Sequence, residues 1–290
     1  YFMLGSNYGK IKVNYIHGFL ESNKERINRY ITSRGLEWTN KKNLILSISE
    51  IVIYSGENRS IDFSYLNPIS THLELELNDR LNINGTFNAN AIWQLSSDIL
   101  FKNKIRLSGN FLIDELVLDK SELNGEKEHG LAYSYKLCVT TFKSESSLVL
   151  LKFSNIYIGT PALRHSQGYN NFVQRSKPLG WVYGSDGKEF KFGMTYLKSN
   201  NLILDVNFGD RLIGSESIRS RPYEAYKDYK RGKFPSGEVE KTRFYDLEIK
   251  CLVNRYIYAS TILKYHDFNN STSLYFGLNL NLSLSSSIII

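Results

Sequence analysis

The stretch SLYFGLNLNLSL, Ser273 to Leu284, alternates strictly between apolar and small or polar side chains. Leu274, Phe276, Leu278, Leu280, Leu282 and Leu284 fall on one face of a β-strand, and Ser273, Tyr275, Gly277, Asn279, Asn281 and Ser283 on the other. A strand of this kind needs an apolar environment on one side only, which restricts the chain to a small set of architectures.

The same period recurs upstream. Tyr245, Leu247, Ile249, Cys251 and Val253 oppose Asp246, Glu248, Lys250 and Asn254; Ile257, Ala259, Thr261, Leu263 and Tyr265 oppose Tyr258, Ser260, Ile262, Lys264 and His266. Leu202, Leu204, Val206 and Phe208 oppose Asp205, Asn207 and Arg211, while Phe190, Phe192, Met194 and Tyr196 oppose Lys191, Gly193 and Thr195. Similar sets occupy Ile105 to Ile113, Leu131 to Val139 and Val149 to Phe153, with looser ones at Lys10 to Phe19, Thr32 to Thr39, Asn43 to Tyr54 and Ala89 to Leu95. About twelve strands follow, many of about ten residues. That exceeds the usual soluble length of about five or six and suits a tilted membrane-crossing strand.

The connections alternate in length. Tight turns at Asn40 to Lys42, near Ser96 to Asp98, and at Lys143 to Glu145, Ser199 to Asn200 and Asn254 to Arg255 all fall on one end. Longer connections at Leu20 to Ile31, Ser55 to Gly85, Lys120 to His129, Thr160 to Gly187, Ser215 to Lys241 and Asp267 to Thr272 fall on the other. A soluble sandwich or barrel would turn the apolar faces inward; an outer-membrane barrel would turn them outward. Short turns opposite long loops are the pattern of the second, whose sheet must close because lipid tolerates no free edge. The expected fold is all-β: an antiparallel transmembrane β-barrel of about twelve strands in this chain, one domain over residues 1–290, with short periplasmic turns and long extracellular loops.

Composition narrows what such a chain does. Tyr (20) and Phe (16) are abundant and suit strands, and no apolar run approaches the roughly 20 residues of a spanning helix. The chain begins YFMLGSNYGK, without a starting Met or a visible leader. That fits a cytoplasmic protein, a mature form or a clipped larger barrel. Cys138 and Cys251 sit alone in separate strand-like runs, which disfavours a disulfide framework. The net charge of +7 suits anionic partners such as lipopolysaccharide or acidic polysaccharide. Because opposite signs alternate through the loops, a nucleic-acid surface is not expected.

Several words of the sequence resemble those of the Wzi-type capsule-assembly proteins and their relatives: YLNPIS (Tyr65 to Ser70), GNFLIDELVLDK (Gly109 to Lys120), RHSQGYNNFVQRSKPLGWVYGSDG (Arg164 to Gly187) and, more weakly, ITSRGLEWTNKKNLILSISEIVIYSG (Ile31 to Gly56). They occur in order from about Ile31 to the end. The resemblance implies a bacterial outer-membrane barrel acting as a surface lectin, which holds capsular or other extracellular polysaccharide to the cell rather than making it. The family barrel is larger than twelve strands and carries periplasmic helices that occlude its lumen; this sequence shows no such helical plug.

Two loops carry the candidate binding residues. The first combines Arg164, His165, Tyr169, Asn170, Asn171, Gln174 and Arg175, whose amides and guanidinium groups suit sugar hydroxyls. Pro178, Gly180 and Gly184 beside them punctuate turns, so a structural role for a loop folded into the barrel mouth is the competing reading. The second places Arg219, Arg221 and Tyr223 in a run that continues through Tyr226, Lys227, Asp228, Tyr229, Lys230, Arg231 and Lys233. Arg pairs bidentately with carboxylates and phosphates, and the competing reading is a solvated loop against anionic lipopolysaccharide.

Chemistry has less support. Asp114 and Glu115 are adjacent and point to opposite faces of one strand, the wrong geometry for an acid/base pair, and are read as a strand end reaching the aqueous rim. His17, His72, His129, His165 and His266 are scattered without metal-ligand spacing, and no nucleophile elbow, phosphate loop or glycine fingerprint appears. The expectation is a non-enzymatic protein without metal or cofactor. The alternative is a channel whose pore is lined by Asp205, Asn207, Asp246, Glu248, Lys250 and Lys264.

Overall fold

The computed structural model describes residues 1–22, 26–72, Leu75, 89–117, Ser121, 124–199, 201–227, 230–254, 257–269 and 271–282. Ser283 and Leu284 of the last expected strand, Asp228 and Tyr229 of the cationic loop, and Asn200 and Arg255 of two tight turns lie outside them. The strands are β1 (Phe2–Tyr8), β2 (Ile11–Phe19), β3 (Ile27–Thr39), β4 (Leu44–Glu57), β5 (Ala89–Phe101), β6 (Ile105–Glu115), β7 (Gly130–Lys143) and β8 (Ser147–Ile158). A short hairpin, β9 (Val173–Gln174) and β10 (Lys177–Pro178), precedes β11 (Gly187–Lys198), β12 (Leu202–Ile213), β13 (Glu240–Asn254), β14 (Ile257–Phe268) and β15 (Ser271–Leu282). Apart from the hairpin, these make one 13-stranded antiparallel sheet in which every strand pairs with its neighbours in the chain. Among the described residues no ladder joins β1 to β15.

Twelve of these strands are those the alternation predicts, and β1 is the addition. Phe2 lies opposite His17 and Tyr8 opposite Ile11, so β1 is held by a full ladder although Gly5, Ser6 and Asn7 blur its apolar period. Two connections differ from expectation. Ser96 and Asp98 lie inside β5, and the chain reverses at 102–104, where Lys102 and Asn103 adopt φ of 47° and 54°. Asp98 looks like a turn former but accepts from Ser108 Oγ at 2.6 Å and pairs with Arg106 at 3.0 Å on the next strand. The β14–β15 connection is two residues rather than about six, so one tight turn lies at the end carrying the long connections.

Register fixes the two faces. Phe153, Phe192, Phe208, Tyr245 and Tyr265 stand opposite one another in turn across β8, β11, β12, β13 and β14, forming one aromatic row. The next row towards the tight turns is Leu151, Met194, Val206, Leu247, Leu263 and Phe276. The row on the other side carries Phe190, Asp210, Arg243 and Asp267, with Arg243 and Asp210 paired at 3.0 Å. An apolar belt bounded by aromatics and then by charge is what a barrel presents to lipid and interface. On β15, Leu274, Phe276, Leu278 and Leu280 are 63–70% exposed, with no second sheet over them.

The opposite face is polar. Lys152, Gly193, Asn207, Asp246 and Lys264 share one row; an ion pair joins Lys152 to Asp205 at 2.6 Å, and His266 Nε2 lies 3.1 Å from Asp246 Oδ1. Such pairs hold charge in a lumen where water completes their solvation.

One region breaks the rule of an apolar outside. Tyr15, His17, Tyr30, Arg34, Glu50 and Tyr54 occupy outward positions of β2 to β4, in phase with the exposed Leu36 and Trp38. They are buried because the segment after β4 folds over them. Its helical turn α1 (Phe63–Leu66) is capped by Asp62, which accepts from Ser64 N at 3.0 Å. Tyr65 stacks on Tyr54 at 4.6 Å between ring centres and Tyr54 on Tyr30 at 4.9 Å. Arg34 pairs with Glu50 at 3.0 Å and donates to the Tyr65 carbonyl at 3.0 Å, so this charged pair is shielded by protein instead of facing lipid.

Candidate functional site

The connection of residues 159–186 turns back from β8 and packs as a plug against the inner face of the wall. It carries no regular helix beyond the single 3-10 turn Gly168–Asn170, so this inward-packed element is a folded loop. Ala162, Leu163, Phe172 and Val173 pack with the inward Ile53, Ile92, Ala132 and Ile158 of the wall and with Ile218. Each large side chain so buried contributes about 1.5–3 kcal/mol.

Inward polar side chains of the wall hold the loop backbone. Arg29 of β3 donates to the carbonyls of Tyr169 at 2.6 Å, Asn171 at 3.0 Å and Val173 at 3.0 Å. Ser55 Oγ donates to Asn170 Oδ1 at 2.7 Å, and Asn90 Nδ2 to the carbonyls of Asn170 and Arg164 at 3.3 and 3.4 Å. Asp114 accepts from Leu163 N at 2.5 Å. The strand end there, with a register shift between Ile113 and Glu115, thus meets the loop through Asp114.

A second connection, residues 214–239, clasps the first. Asp186 is fully buried and accepts from Thr160 Oγ1 at 2.9 Å, Ser236 N at 2.9 Å and Glu216 N at 3.1 Å. Gly168 is needed at the contact: a Cβ there would lie 1.9 Å from the Tyr223 carbonyl oxygen. Arg211 of β12 pairs with Glu189 of β11 at 2.8 Å, and its guanidinium lies 3.4 Å from the Tyr183 ring centre and 5.0 Å from that of Phe244.

All ten residues expected to bind are brought to this one end, in two environments. Arg164, Asn170 and Asn171 are buried and serve the chain itself. Arg164 donates to the Glu216 carbonyl and pairs with its carboxylate at 2.8 Å, while Asn171 Nδ2 donates to the Glu224 carbonyl at 2.9 Å and its Oδ1 accepts from His165 N at 2.8 Å. Gln174 Oε1 accepts from Glu21 N at 2.9 Å. The remainder meet solvent. Arg175 is exposed at the tip of the β9–β10 hairpin, where φ of 50° and 57° at Arg175 and Ser176 make the turn that matches strand twist. Arg219 is exposed, and Arg221 is half-exposed between Glu216 and Glu224 at 3.4 and 2.8 Å. His165, Tyr169 and Tyr223 are half-buried; the Tyr223 ring lies 5.1 Å from the Arg29 guanidinium and 6.3 Å from the Tyr169 ring.

Sequence reasoning did not reach Arg29, Asn90, Asp186 or Glu189, which build the mouth. For Arg29 and Glu189 an inward-facing charge near the long-connection end of a strand was the available signal.

Of the polar clefts at this end, two border the 159–186 loop. One, of about 320 Å³, is lined by Glu128, Glu216, Tyr226, Lys227, Lys230 and Lys233. Burial pushes the Glu128 carboxyl above its ordinary value; Arg231 opposes the shift and Asp186 adds to it. The other, of about 400 Å³, lies between His72, Asp114, Glu115, Arg164, His165 and Ser166.

A long-stranded antiparallel meander with an aromatic-bounded apolar outside and an ion-paired polar inside defines an outer-membrane β-barrel protein, whose place is the bacterial outer membrane. Among solved structures the chain is similar to Wzi, described as an outer-membrane protein involved in group 1 capsule assembly in Escherichia coli and a carbohydrate-binding β-barrel. The TM-score is 0.65 at 11% identity, over 96% of this chain and 56% of that one. The chain therefore spans just over half the length of that protein, and the likeness is one of fold. It also aligns with the CymD monoaromatic hydrocarbon channel, with TM-score 0.36, 8% identity and coverage of 98% and 82% of the two chains. An outer-membrane channel from Pseudomonas putida F1 aligns with TM-score 0.34, 10% identity and coverage of 93% and 92%. No protein-family model matches the chain, and no curated protein matches it by sequence.

Proposed function

We propose that this protein holds capsular or other extracellular polysaccharide at the cell surface, as a non-enzymatic, lectin-like participant in capsule assembly. In this reading the long connections are extracellular, the tight turns periplasmic, and the outer belt meets lipid and lipopolysaccharide. The observation that carries it is the division of labour at the mouth. Buried Arg164, Asn170 and Asn171 rigidify a plug, and that plug presents exposed Arg175 and Arg219 with half-exposed Arg221, His165 and Tyr223. Cations on a pre-organised surface suit acidic sugars, aromatic faces suit pyranose rings, and repeated weak contacts along a polymer multiply. The fold shared with a carbohydrate-binding barrel supports the same reading.

Purified acidic capsular polysaccharide, titrated onto cells displaying the protein, is expected to bind saturably. Binding should fall at least about tenfold in the R175S/R219S/R221S variant, since each charge-assisted contact is worth about 1.5–3 kcal/mol before solvent screening. The second reading, a channel, is favoured by the charged inner wall at Lys152, Asp205 and Asp246. Steady conductance in a planar bilayer together with absent polysaccharide binding would replace the first reading with the second.

A further inference from the structure

Beneath the plug the lumen changes character. The inner wall is charged or hydroxylated along most of its height, yet directly below the loop it turns aliphatic, through Ile31, Ile51, Ile92, Leu112 and Ile156. The plug supplies Phe172, Leu179 and Trp181 as the roof. Between them is a chamber of about 420 Å³, within the size range of small-molecule sites. The plug does not fill it: Gly180 is on the boundary with φ of 106°, and a Cβ built there would have no atom within 4 Å. Ile31, Ile51, Leu112, Ile156 and Trp181 therefore remain partly accessible, leaving apolar surface for a ligand to cover.

Only one side of the chamber is polar. Gln94 Nε2 donates to Asn110 Oδ1 at 2.9 Å, and Asn110 Nδ2 donates to Ser134 Oγ at 3.2 Å, making a short amide–hydroxyl rail. The rail retains acceptor capacity at Gln94 Oε1 and a rotatable hydroxyl at Ser134. Among the described residues no charged side chain lines the volume. The geometry points to a binding site for a small uncharged amphiphile: one ring or a short alkyl body against the isoleucines and Trp181, with a hydroxyl or carbonyl head on the rail. An ionised ligand would be desolvated there without a counter-charge and is excluded. This site faces the lumen and is separate from the exposed cations proposed to meet polysaccharide.

The three tryptophans allow a direct test. Trp38 and Trp93 hold outward positions on β3 and β5, and Trp181 alone faces the chamber. In the W38F/W93F variant, reconstituted in nanodiscs, 4-bromobenzyl alcohol should quench Trp181 fluorescence along a saturating curve. Unbrominated benzyl alcohol should restore the signal, and 4-bromobenzoate should give no saturable component. Ala132 is 5% exposed in the chamber wall, so A132F should fill the volume and leave only a weak linear slope. A linear response in the W38F/W93F protein overturns the site, as does saturable quenching that benzyl alcohol fails to reverse. Undiminished saturable quenching in folded A132F overturns it too; should A132F not fold, the competition decides.

Discussion

Arg29→Met tests whether the plug is held by the wall or merely rests in it. Arg29 is 1% exposed and gives three donors to plug carbonyls, at 2.6, 3.0 and 3.0 Å. Methionine keeps much of the stem's packing but removes all three. Each buried carbonyl left unpaired costs about 1–3 kcal/mol, a gross loss of roughly 3–9 kcal/mol. Relief of the guanidinium's own desolvation, several kcal/mol, and entry of water offset part of this. A net loss of about 3–4 kcal/mol is expected, which is a factor of about 10²–10³ in the opening equilibrium at 1.4 kcal/mol per decade. Hydrogen exchange of the 163–181 segment reads this directly, because local opening and global unfolding have separate free energies. Exchange there should quicken about 100- to 1,000-fold while β11 to β14 keep their protection. Arg29→Lys, which retains charge without the fork, should fall between. A change below about threefold in a protein that still migrates as a folded barrel would refute the reasoning.

Three other outcomes follow from the same geometry. Leu247→Arg places a charge in the apolar row of the belt and should lower stability by about 2–4 kcal/mol in urea titrations from lipid vesicles; Lys264→Arg on the inner wall should change it by less than about 1 kcal/mol. Glu189→Ala strands Arg211 in a site where both side chains are 7% exposed, costing about 3–5 kcal/mol, whereas Glu189→Leu/Arg211→Met should cost much less. Equal losses in the single and double variants would contradict an uncompensated charge as the cause. Glu128 has a raised folded pKa, so the native state holds its proton to higher pH than the unfolded chain does. Stability from this group is therefore lost as pH rises from the ordinary carboxylate value through the folded one. Glu128→Gln should melt higher than the parent at pH 7 and show no advantage near pH 4; a pH-independent difference would reject the assignment.

The wall of the barrel is legible because a period of two survives in strands with lipid on one side and water on the other. Where the alternation is noisy, at β2 to β4, the noise has a physical origin. His17, Arg34 and Glu50 sit in the outward phase, and a covering segment more than ten residues away in the chain makes them tolerable. Periodicity alone carries no sign of that cover. Ser96 and Asp98 mislead for a related reason, since hydroxyls and carboxylates serve turns and wet lumens equally well. The plug segment stands out as a distinctive run, but its sequence does not separate amides that bind a sugar from amides that bind backbone. Asn171 does the second, and the Asn170 amide oxygen accepts from the Ser55 hydroxyl of the wall; both tasks need the same donors and acceptors. Arg29 and Asp186 escape notice because their partners lie far along the chain.

The two kinds of contact in this molecule differ in when they can form. Among the described residues every ladder of the wall joins strands that follow one another in the chain, so strands can be laid down in succession, and a hairpin gained or lost changes the width of the sheet without rewiring the rest. The plug has the opposite character: Arg29 reaches Tyr169 across 140 residues and Glu21 reaches Gln174 across 153. Contacts of such separation form after local ones. Seating of the plug therefore requires that distant strands already stand in register.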